Sequence, residues 1–329
     1  MSLRSHSAFT AALAAVVTTL FSAAATAQTK WDLPSGYGSN TYQVQNLQLF
    51  ADDVDKTTAG KLKITVHANA SLFKANEIKR AVQSSQTAIG EFILSGAANE
   101  APMFGLDSIP FLATSYAEAR RLHEISQPYL AKTLAAQGLK LLYAVPWPPQ
   151  GLYSIKPVAS IKDLKGTKMR AYNPATSAIA QSVGAQPVTI QLAELSAALA
   201  TGGVDNFLTS SASGMDSKLY EQARYFYDVN AWLPRNAVVV NQKAFDALDK
   251  PTQEAVLKQA AAAEQRGWRT SEERDGDYIK QLAAKGMKVD PTSEVLKQEL
   301  KAIGTRMTDE WLRTAGADGK TIVDAFNKK

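Results

Sequence analysis

Hydrophobic and polar residues alternate along this chain with two periods, one typical of strands and one typical of helices. Leu62–His67 alternates strictly between apolar and polar positions, which predicts a half-buried strand. Ile78, Ala81 and Val82 are spaced like one face of a helix, so a helix is predicted over Asn76–Ser85. The same two patterns succeed each other through most of the chain.

Apolar runs and the turn residues between them define the remaining elements. Strands are predicted at Lys30–Leu33, Leu62–His67, Thr87–Leu94, Leu139–Val145, Lys168–Tyr172, Pro187–Ile190, Asp205–Leu208 and Val238–Asn241. Helices are predicted over Thr41–Thr58, Asn76–Ser85, Tyr116–Gly138, Pro174–Val183 and Leu192–Thr201. Strands that alternate with helices at this spacing indicate an α/β fold with a parallel or mixed sheet covered by helices.

A much longer helix is predicted to follow, from Pro251 to Lys285. Proline is well placed in a first turn, and Gly286 ends the pattern. At about 1.5 Å per residue this helix would span roughly 50 Å, which exceeds one small domain. We therefore expect it to bridge two domains, a number that the length of the chain also suits.

The N-terminus has the pattern of a secretory signal peptide over residues 1–27. Arg4 precedes an apolar run from Ala8 to Phe21, and Ala25–Ala27 forms a small-residue cleavage site. The alternative, a membrane anchor, is disfavoured because the run is short and rich in alanine and threonine. The chain is therefore expected to be exported and periplasmic.

Composition excludes several classes of function. The chain has no cysteine, so disulfides, thiolate nucleophiles and thiolate metal sites are excluded. Lysine and arginine number 36 against 31 acidic residues, and both signs are scattered, which does not predict a nucleic-acid interface. Hydrophobic residues make up 45%, enough for sizeable cores.

Sequence motifs of catalysis are missing. Beyond the first 27 residues histidine occurs only at His67 and His123, without metal-ligand spacing, and there is no HExxH, GxSxG or P-loop motif. Gly36–Gly38 resembles the start of a dinucleotide fingerprint, but Thr41 stands at the third glycine position. The better interpretation is a glycine-rich mouth after the first strand, where Tyr37 and Asn40 line a cleft.

The segment Ile161–Arg170 reads as a turn and then a strand that ends in arginine. At such a place Arg170 can offer its planar fork to a carboxylate, or it can form a surface salt bridge. Spacing alone leaves both interpretations open.

Several segments resemble the substrate-binding proteins of TRAP transporters, a family that includes C4-dicarboxylate and sialic-acid receptors. The pattern Asp163-Leu164-Lys165-Gly166-x-Lys168-x-Arg170 resembles the family signature. The other segments that match, in the family's order, are Thr58–Leu62, Asp107–Leu112, Val183–Pro187, Glu194-Leu195, Ala198–Asp205 and Tyr225–Asn241. Together they cover nearly the whole chain after residue 27.

The resemblance implies a two-domain periplasmic-binding-protein architecture with crossing strands and a long domain-bridging helix. It places residues 28–152 plus 238–278 in the first domain and residues 153–237 plus 279–329 in the second. The ligand would sit in the cleft between them, which closes by a hinge motion, and Arg170 would pair with the ligand's carboxylate. The resemblance also implies a monomer that passes a small organic acid to integral membrane TRAP subunits.

The chain departs from the family pattern in ways that bear on the ligand. Many sialic-acid-type members carry a second arginine where this chain has Gln150, and Leu208 and Thr209 replace an acid and an amide. One arginine matches one carboxylate, so we expect a monocarboxylate, with aromatic, 2-oxo and small hydroxy acids as the leading candidates.

The same departures suggest a less charged and more aromatic cleft. Trp147, Phe207 and Trp232 are expected to pack on the ligand body, although each is also a candidate for a domain core. Thr209 and Ser95 are candidate hydroxyl donors. Asn173 is expected either to bond the ligand or to cap the helix that starts at Pro174.

Other functional classes remain open at this point. An enzyme on the same scaffold would need a nucleophile or acid–base pair that the sequence does not offer, and an adhesion protein or sensory receptor would reuse the same binding fold. Some dimeric family members that take 2-oxo acids use a metal. No acidic pair stands beside the Arg170 strand, so neither a metal nor another cofactor is predicted.

Overall fold

The structure is a computed structural model that describes residues 28–290 and 292–328. The predicted signal peptide, residues 1–27, lies outside the described residues. The strands are β1 (Thr29–Pro34), β2 (Leu62–His67), β3 (Ile89–Ile93), β4 (Leu139–Pro146), β5 (Gln150–Ser154), β6 (Lys168–Ala171), β7 (Gln186–Thr189), β8 (Asn206–Ser210), β9 (Tyr225–Tyr227), β10 (Arg235–Asn241) and β11 (Lys288–Asp290). The helices are α1 (Tyr42–Thr57), α2 (Ile78–Gln83), α3 (Tyr116–Ala135), α4 (Pro174–Ser182), α5 (Leu192–Ala200), α6 (Ser211–Asp216), α7 (Gln242–Asp246), α8 (Lys250–Ala284) and α9 (Glu294–Asn327).

The strands form two lobes. The first lobe contains the parallel pair β1–β2 and an antiparallel sheet in the order β3-β10-β4. The second lobe contains a mixed six-stranded sheet in the order β11-β9-β5-β8-β6-β7. Helices pack on these sheets, which confirms the predicted α/β class.

The two lobes are joined by two neighbouring chain segments, one between β4 and β5 and one between β9 and β10. Trp147 N donates a 2.8 Å hydrogen bond to the carbonyl oxygen of Pro234, and Gln150 N donates one of 2.8 Å to that of Trp232. The crossing segments are thus hydrogen-bonded to each other. These crossing segments lie at the base of the cavity between the two lobes.

Helix α8 spans 35 residues and packs on both lobes. Asp249 caps its start by accepting a 2.7 Å hydrogen bond from Thr252 N, and Pro251 stands in the first turn. Val256 and Ala263 lie in the core of the first lobe, whereas Leu282 lies in a core of the second. The long bridging helix predicted from the sequence is confirmed.

A second long helix, α9, was not predicted. Glycines interrupt its sequence pattern. The helical backbone breaks at Gly316, where φ is 63°. At Gly304 the helix lies so close to Pro110 that an added Cβ would be 2.3 Å from its carbonyl oxygen. Its first part packs through Leu296 in the second lobe, and its last part packs through Ile322 beside Leu122 of α3.

The packing differs from the predicted division of the chain at three places. Residues 317–327 of α9 lie against α3 of the first lobe, although residues 279–329 were assigned to the second domain. The predicted boundaries after residues 152 and 237 fall inside β5 and β10, which belong entirely to the second and the first lobe, respectively. Strand pairing over long sequence distances, which no local pattern encodes, decides these borders.

Candidate ligand-binding site

A cavity of about 690 Å³ lies where the two lobes meet. The first lobe and its crossing segment contribute Tyr37, Glu91 and Trp147. The second lobe contributes Gln150, Arg170, Tyr172, Asn173 and Thr209. Six residues expected from the sequence to contact a ligand are therefore brought together here: Tyr37, Trp147, Gln150, Arg170, Asn173 and Thr209.

Arg170 lies near the end of β6 and is 4% exposed. Its Nε donates a 2.8 Å hydrogen bond to the carbonyl oxygen of Ile190, and its guanidinium carbon lies 4.9 Å from the centre of the Tyr172 ring. These contacts hold the guanidinium in one orientation. Burial lowers the pKa of Arg170 to about 10, so the side chain is still charged at neutral pH.

Among the described residues, no carboxylate forms an ion pair with Arg170, and neither Nη atom donates to a protein acceptor. An unpaired buried charge is costly, and two parallel N–H groups match the two oxygens of a carboxylate. Among the described residues Arg170 therefore forms no salt bridge, and its two Nη groups are available to donate to a carboxylate.

Glu91, which the sequence analysis did not single out, lies on the opposite wall. It is 1% exposed on β3, and burial raises its pKa, while two hydrogen bonds act in the other direction. Its Oε2 accepts from Ser35 Oγ at 2.5 Å, and its Oε1 accepts from Asn236 Nδ2 at 2.9 Å. The signal that could have revealed it is a carboxylate in the middle of the apolar strand Ile89–Ile93.

Asn236 connects Glu91 to two aromatic residues of the cavity. Its Oδ1 accepts a 3.0 Å hydrogen bond from Trp147 Nε1 and a 3.3 Å hydrogen bond from Tyr37 OH. The Tyr37 and Trp147 rings also contact each other, with centres 4.9 Å apart. Burial raises the pKa of the Tyr37 phenol well above its ordinary value, and the negative charge of Glu91 raises it further.

Asn173 takes the capping role that the sequence left open, and its side chain also lies at the cavity. Its Oδ1 accepts a 2.8 Å hydrogen bond from Thr176 N and so caps α4. Its Nδ2 donates a 2.9 Å hydrogen bond to Ser95 Oγ, and the side chain borders the cavity. Ser95 itself is buried behind the wall and does not line the cavity, so it acts on the site through Asn173.

Gln150 and Thr209 lie on the paired strands β5 and β8, where Gln150 is opposite Ser210 and Thr209 is opposite Gly151. Gln150 Oε1 accepts a long 3.4 Å hydrogen bond from Tyr172 OH, and its Nε2 donates to the carbonyl oxygen of Pro148 at 3.1 Å. Both side chains are nearly buried and uncharged. They leave Arg170 as the buried cation on this wall.

Besides Ser95, three residues expected at the site do not line the cavity. Asn40 is exposed and donates to the carbonyl oxygen of Asp216 at 3.1 Å. Phe207 lies deeper in β8 than Thr209 and stacks on its cross-strand neighbour Tyr153, with ring centres 4.9 Å apart. Trp232 is 1% exposed in a core of the second lobe. An aromatic residue has the same sequence pattern in a core as in a cleft, so only packing separates Trp147 from the other two.

The described residues contain neither a candidate membrane span nor a candidate metal site. Across 28–290 and 292–328, no helix is long and apolar enough to cross a membrane. Within the same ranges, no three histidine, aspartate or glutamate side chains are grouped so that they could hold a metal ion.

Known proteins resemble this chain over nearly its whole length. A crystal structure of DctP6, a Bordetella pertussis extracytoplasmic solute receptor binding pyroglutamic acid, is 51% identical with a TM-score of 0.90, covering 92% of this chain and 100% of that one. DctP7 of the same organism, also described as binding pyroglutamic acid, is 43% identical with a TM-score of 0.90, covering 91% and 100%. A marine metagenome TRAP solute-binding protein in complex with co-purified pyroglutamate is 43% identical with a TM-score of 0.90, covering 92% and 99%.

The family model for bacterial extracellular solute-binding proteins, family 7 (DctP), matches residues 35–314. This match confirms the resemblance to TRAP receptors and the expectation of a binding protein instead of an enzyme. The two-lobed fold with a cavity between the lobes agrees with it. The chain belongs to the DctP family of bacterial extracellular solute-binding proteins.

Proposed function

We propose that this protein is the periplasmic receptor of a TRAP transporter for pyroglutamate, which it binds through Arg170. The observation that carries the proposal is the buried guanidinium of Arg170, which lines the cavity without a carboxylate partner among the described residues. The three similar receptors that bind pyroglutamate, at 43% to 51% identity, support the choice of ligand.

Pyroglutamate fits what the sequence predicted about charge and differs from it in the ligand body. It carries one carboxylate, as expected from one buried arginine in the cavity lining, with the uncharged Gln150 also in that lining. Its body is a saturated lactam ring and not an aromatic, 2-oxo or hydroxy group. Trp147 offers an aromatic surface on which the ring's methylene groups can pack.

A screen of small acids tests the proposal. L-Pyroglutamate at 100 times its dissociation constant should stabilise the protein by about 2.7 kcal/mol, whereas succinate, benzoate, pyruvate and lactate at the same concentration should do much less. Absence of any stabilisation by pyroglutamate, with a response to one of the other acids, would overturn the choice of ligand.

Delivery to membrane subunits is part of the same proposal. After removal of residues 1–27 the receptor would act in the periplasm as a monomer, closing on its ligand between the lobes and then docking on the integral membrane subunits. A strain lacking this receptor should take up labelled pyroglutamate again when the wild-type protein is restored. Restoration by the Arg170→Ala variant to the same rate would contradict it.

A further inference from the structure

We propose that Glu91 is the second recognition group of this receptor and that its carboxylate accepts a hydrogen bond from an N–H group of the ligand. The inference rests on the proposed function, because it assigns the N–H of the lactam ring to Glu91 and its carboxylate to Arg170. The receptor would thereby select carboxylic acids that carry an N–H donor next to the carboxyl-bearing carbon.

The hydrogen bonds around Glu91 show which protonation state the protein supports. The indole Nε1 of Trp147 can only donate, so Oδ1 of Asn236 must face it, and Nδ2 of Asn236 must face Glu91. Glu91 Oε1 therefore accepts a hydrogen bond.

The other carboxyl oxygen is held in the same way. Ser35 Oγ accepts a 3.3 Å hydrogen bond from Tyr37 N, so the hydroxyl hydrogen is free to point at Glu91 Oε2. Both oxygens of Glu91 then accept, as an ionised carboxylate does. This arrangement argues against a protonated Glu91 that donates to a ligand carbonyl.

The ionised carboxylate has acceptor capacity left over. A carboxylate offers about four acceptor positions, and Ser35 and Asn236 use two. Among the described residues no lysine or arginine forms an ion pair with Glu91, and Lys79, which also lines the cavity, pairs with Glu100. A buried carboxylate in this situation is stabilised by a further donor, and the cavity is where a ligand can bring one.

Glu91 and Arg170 belong to different lobes and line the same cavity. Glu91 is on β3 of the first lobe and Arg170 on β6 of the second. Both charges act on the Tyr37 phenol, with opposite effects on its pKa. A ligand with a carboxylate and an adjacent N–H would thus contact both lobes, one through each charge.

The test compares two ligands that differ only at the proposed contact. L-Pyroglutamate is compared with 3-oxocyclopentane-1-carboxylate, which has a methylene in place of the N–H and keeps the carbonyl and the carboxylate. Isothermal titration of the wild type should show about 50-fold weaker binding of the carbocyclic acid, since a lost hydrogen bond to a charged group has that effect. In Glu91→Gln the ratio should fall to about 5-fold or less.

Two further variants make the result decisive. Glu91→Ala removes the carboxylate without placing a donor against Ser35 and Asn236. It replaces Glu91→Gln in the comparison if the glutamine variant does not fold, and the same fall in the ratio is expected. Glu194→Gln is the matched control, because Glu194 also borders the cavity but is exposed, and glutamine keeps an oxygen that can accept from Gln191 N; it should keep the wild-type ratio.

The outcomes separate the two proposals. Equal affinity of the wild type for both ligands, or an unchanged ratio in the Glu91 variants, would overturn the role of Glu91 and leave pyroglutamate as the ligand. No measurable binding of pyroglutamate to the wild type would instead overturn the proposed function.

Discussion

Asn173 Nδ2 lies 2.9 Å from Ser95 Oγ, and this hydrogen bond links the two walls of the cavity. Ser95 follows β3 in the first lobe, and Asn173 follows β6 in the second. The amide is fixed, because Oδ1 already accepts from Thr176 N. A contact of this kind contributes about 1 kcal/mol, enough to influence how readily the lobes come together around a ligand.

Removal of the Ser95 hydroxyl should weaken ligand binding without harming the fold. We expect Ser95→Ala to raise the dissociation constant for pyroglutamate about 5-fold, since one neutral hydrogen bond between the lobes is lost. Isothermal titration measures the effect. Ser177→Ala is the control, because Ser177 also borders the cavity on α4, and it should bind within about 2-fold of the wild type. Wild-type affinity in Ser95→Ala would contradict the prediction.

The two roles of Asn173 can be separated by substitution. Asn173→Ala loses both the cap of α4 and the bond to Ser95, so it should lower the free energy of unfolding by about 1 kcal/mol and also weaken binding. Asn173→Ser keeps a capping hydroxyl but is too short to reach Ser95. It should keep near-wild-type stability in urea titrations and bind as weakly as Ser95→Ala; equal loss of stability in both variants would refute this division.

Substitution of Arg170 should have opposite effects on binding and on stability. Arg170→Met should weaken pyroglutamate binding by at least about 100-fold, because the charge that pairs with the carboxylate is gone. The same variant should melt at a higher temperature than the wild type when no acid is added, since an unpaired buried cation is removed. Arg170→Lys should lose about 10-fold or more in affinity, because lysine lacks the fork.

The control for these variants is Lys168→Met. Lys168 begins the same strand but is exposed, with Nζ bonded to the carbonyl oxygen of Gly202. Its affinity should stay within about 2-fold of the wild type. A melting temperature of Arg170→Met below that of the wild type would show that the arginine stabilises the fold and is not strained by its burial.

Tryptophan fluorescence should report ligand binding mainly through Trp147. Of the five tryptophans, Trp147 lines the cavity, whereas Trp232 is buried in a core of the second lobe. Pyroglutamate should change the emission of the wild type and of Trp232→Phe. The change should be mostly lost in Trp147→Phe, which also frees one acceptor position on Asn236 and should bind more weakly. A full signal in Trp147→Phe would mean that the ligand lies elsewhere.

Asp275 should make the protein less stable as the pH rises. Burial raises its pKa to about 6, although Ser211 Oγ donates to Oδ1 at 2.7 Å. In the unfolded chain the pKa is about 4, so between about pH 4 and 6 the folded state binds more protons. The free energy of unfolding contributed by this group therefore falls as the pH increases through that window and is fully present only below it.

Asp275→Asn removes this dependence while keeping an acceptor for Ser211. It should melt about 2 °C above the wild type at pH 8 and show no difference at pH 4, a modest figure because the side chain is partly exposed. Melting curves between pH 4 and 8 measure it. Asp277→Asn, at an exposed position paired with Lys280, should stay within about 1 °C throughout. A variant that is less stable than the wild type at pH 8 would show the carboxylate to be favourable.

Much of the fold followed from local patterns in the chain. Helix α1 was predicted over Thr41–Thr58 and runs from Tyr42 to Thr57, because periodicity and a capping threonine lie within one short segment. The long helix α8 was placed equally well by a proline near its start and a glycine after its end. Helix α9 was not predicted, because glycines are unusual inside a helix. Gly304 is needed for close packing on Pro110 and Gly316 for a break in the backbone, and neither reason is visible in the local sequence.

The candidate site likewise contains residues that local sequence could identify and residues that only the tertiary structure brings together. The motif at the end of β6 left Arg170 open between a carboxylate contact and a salt bridge. The resemblance to TRAP receptors, with glutamine at position 150, suggested a single carboxylate. Glu91 and Asn236, by contrast, are 145 positions apart and meet only because β3 pairs with β10. Phe207 lies in a core because it is paired with Tyr153 on the neighbouring strand. Trp147 lies at the cavity because it belongs to a segment that crosses between the lobes. Local sequence encodes element type and the chemistry of single residues, but which side chains face one another depends on strand pairing between distant segments.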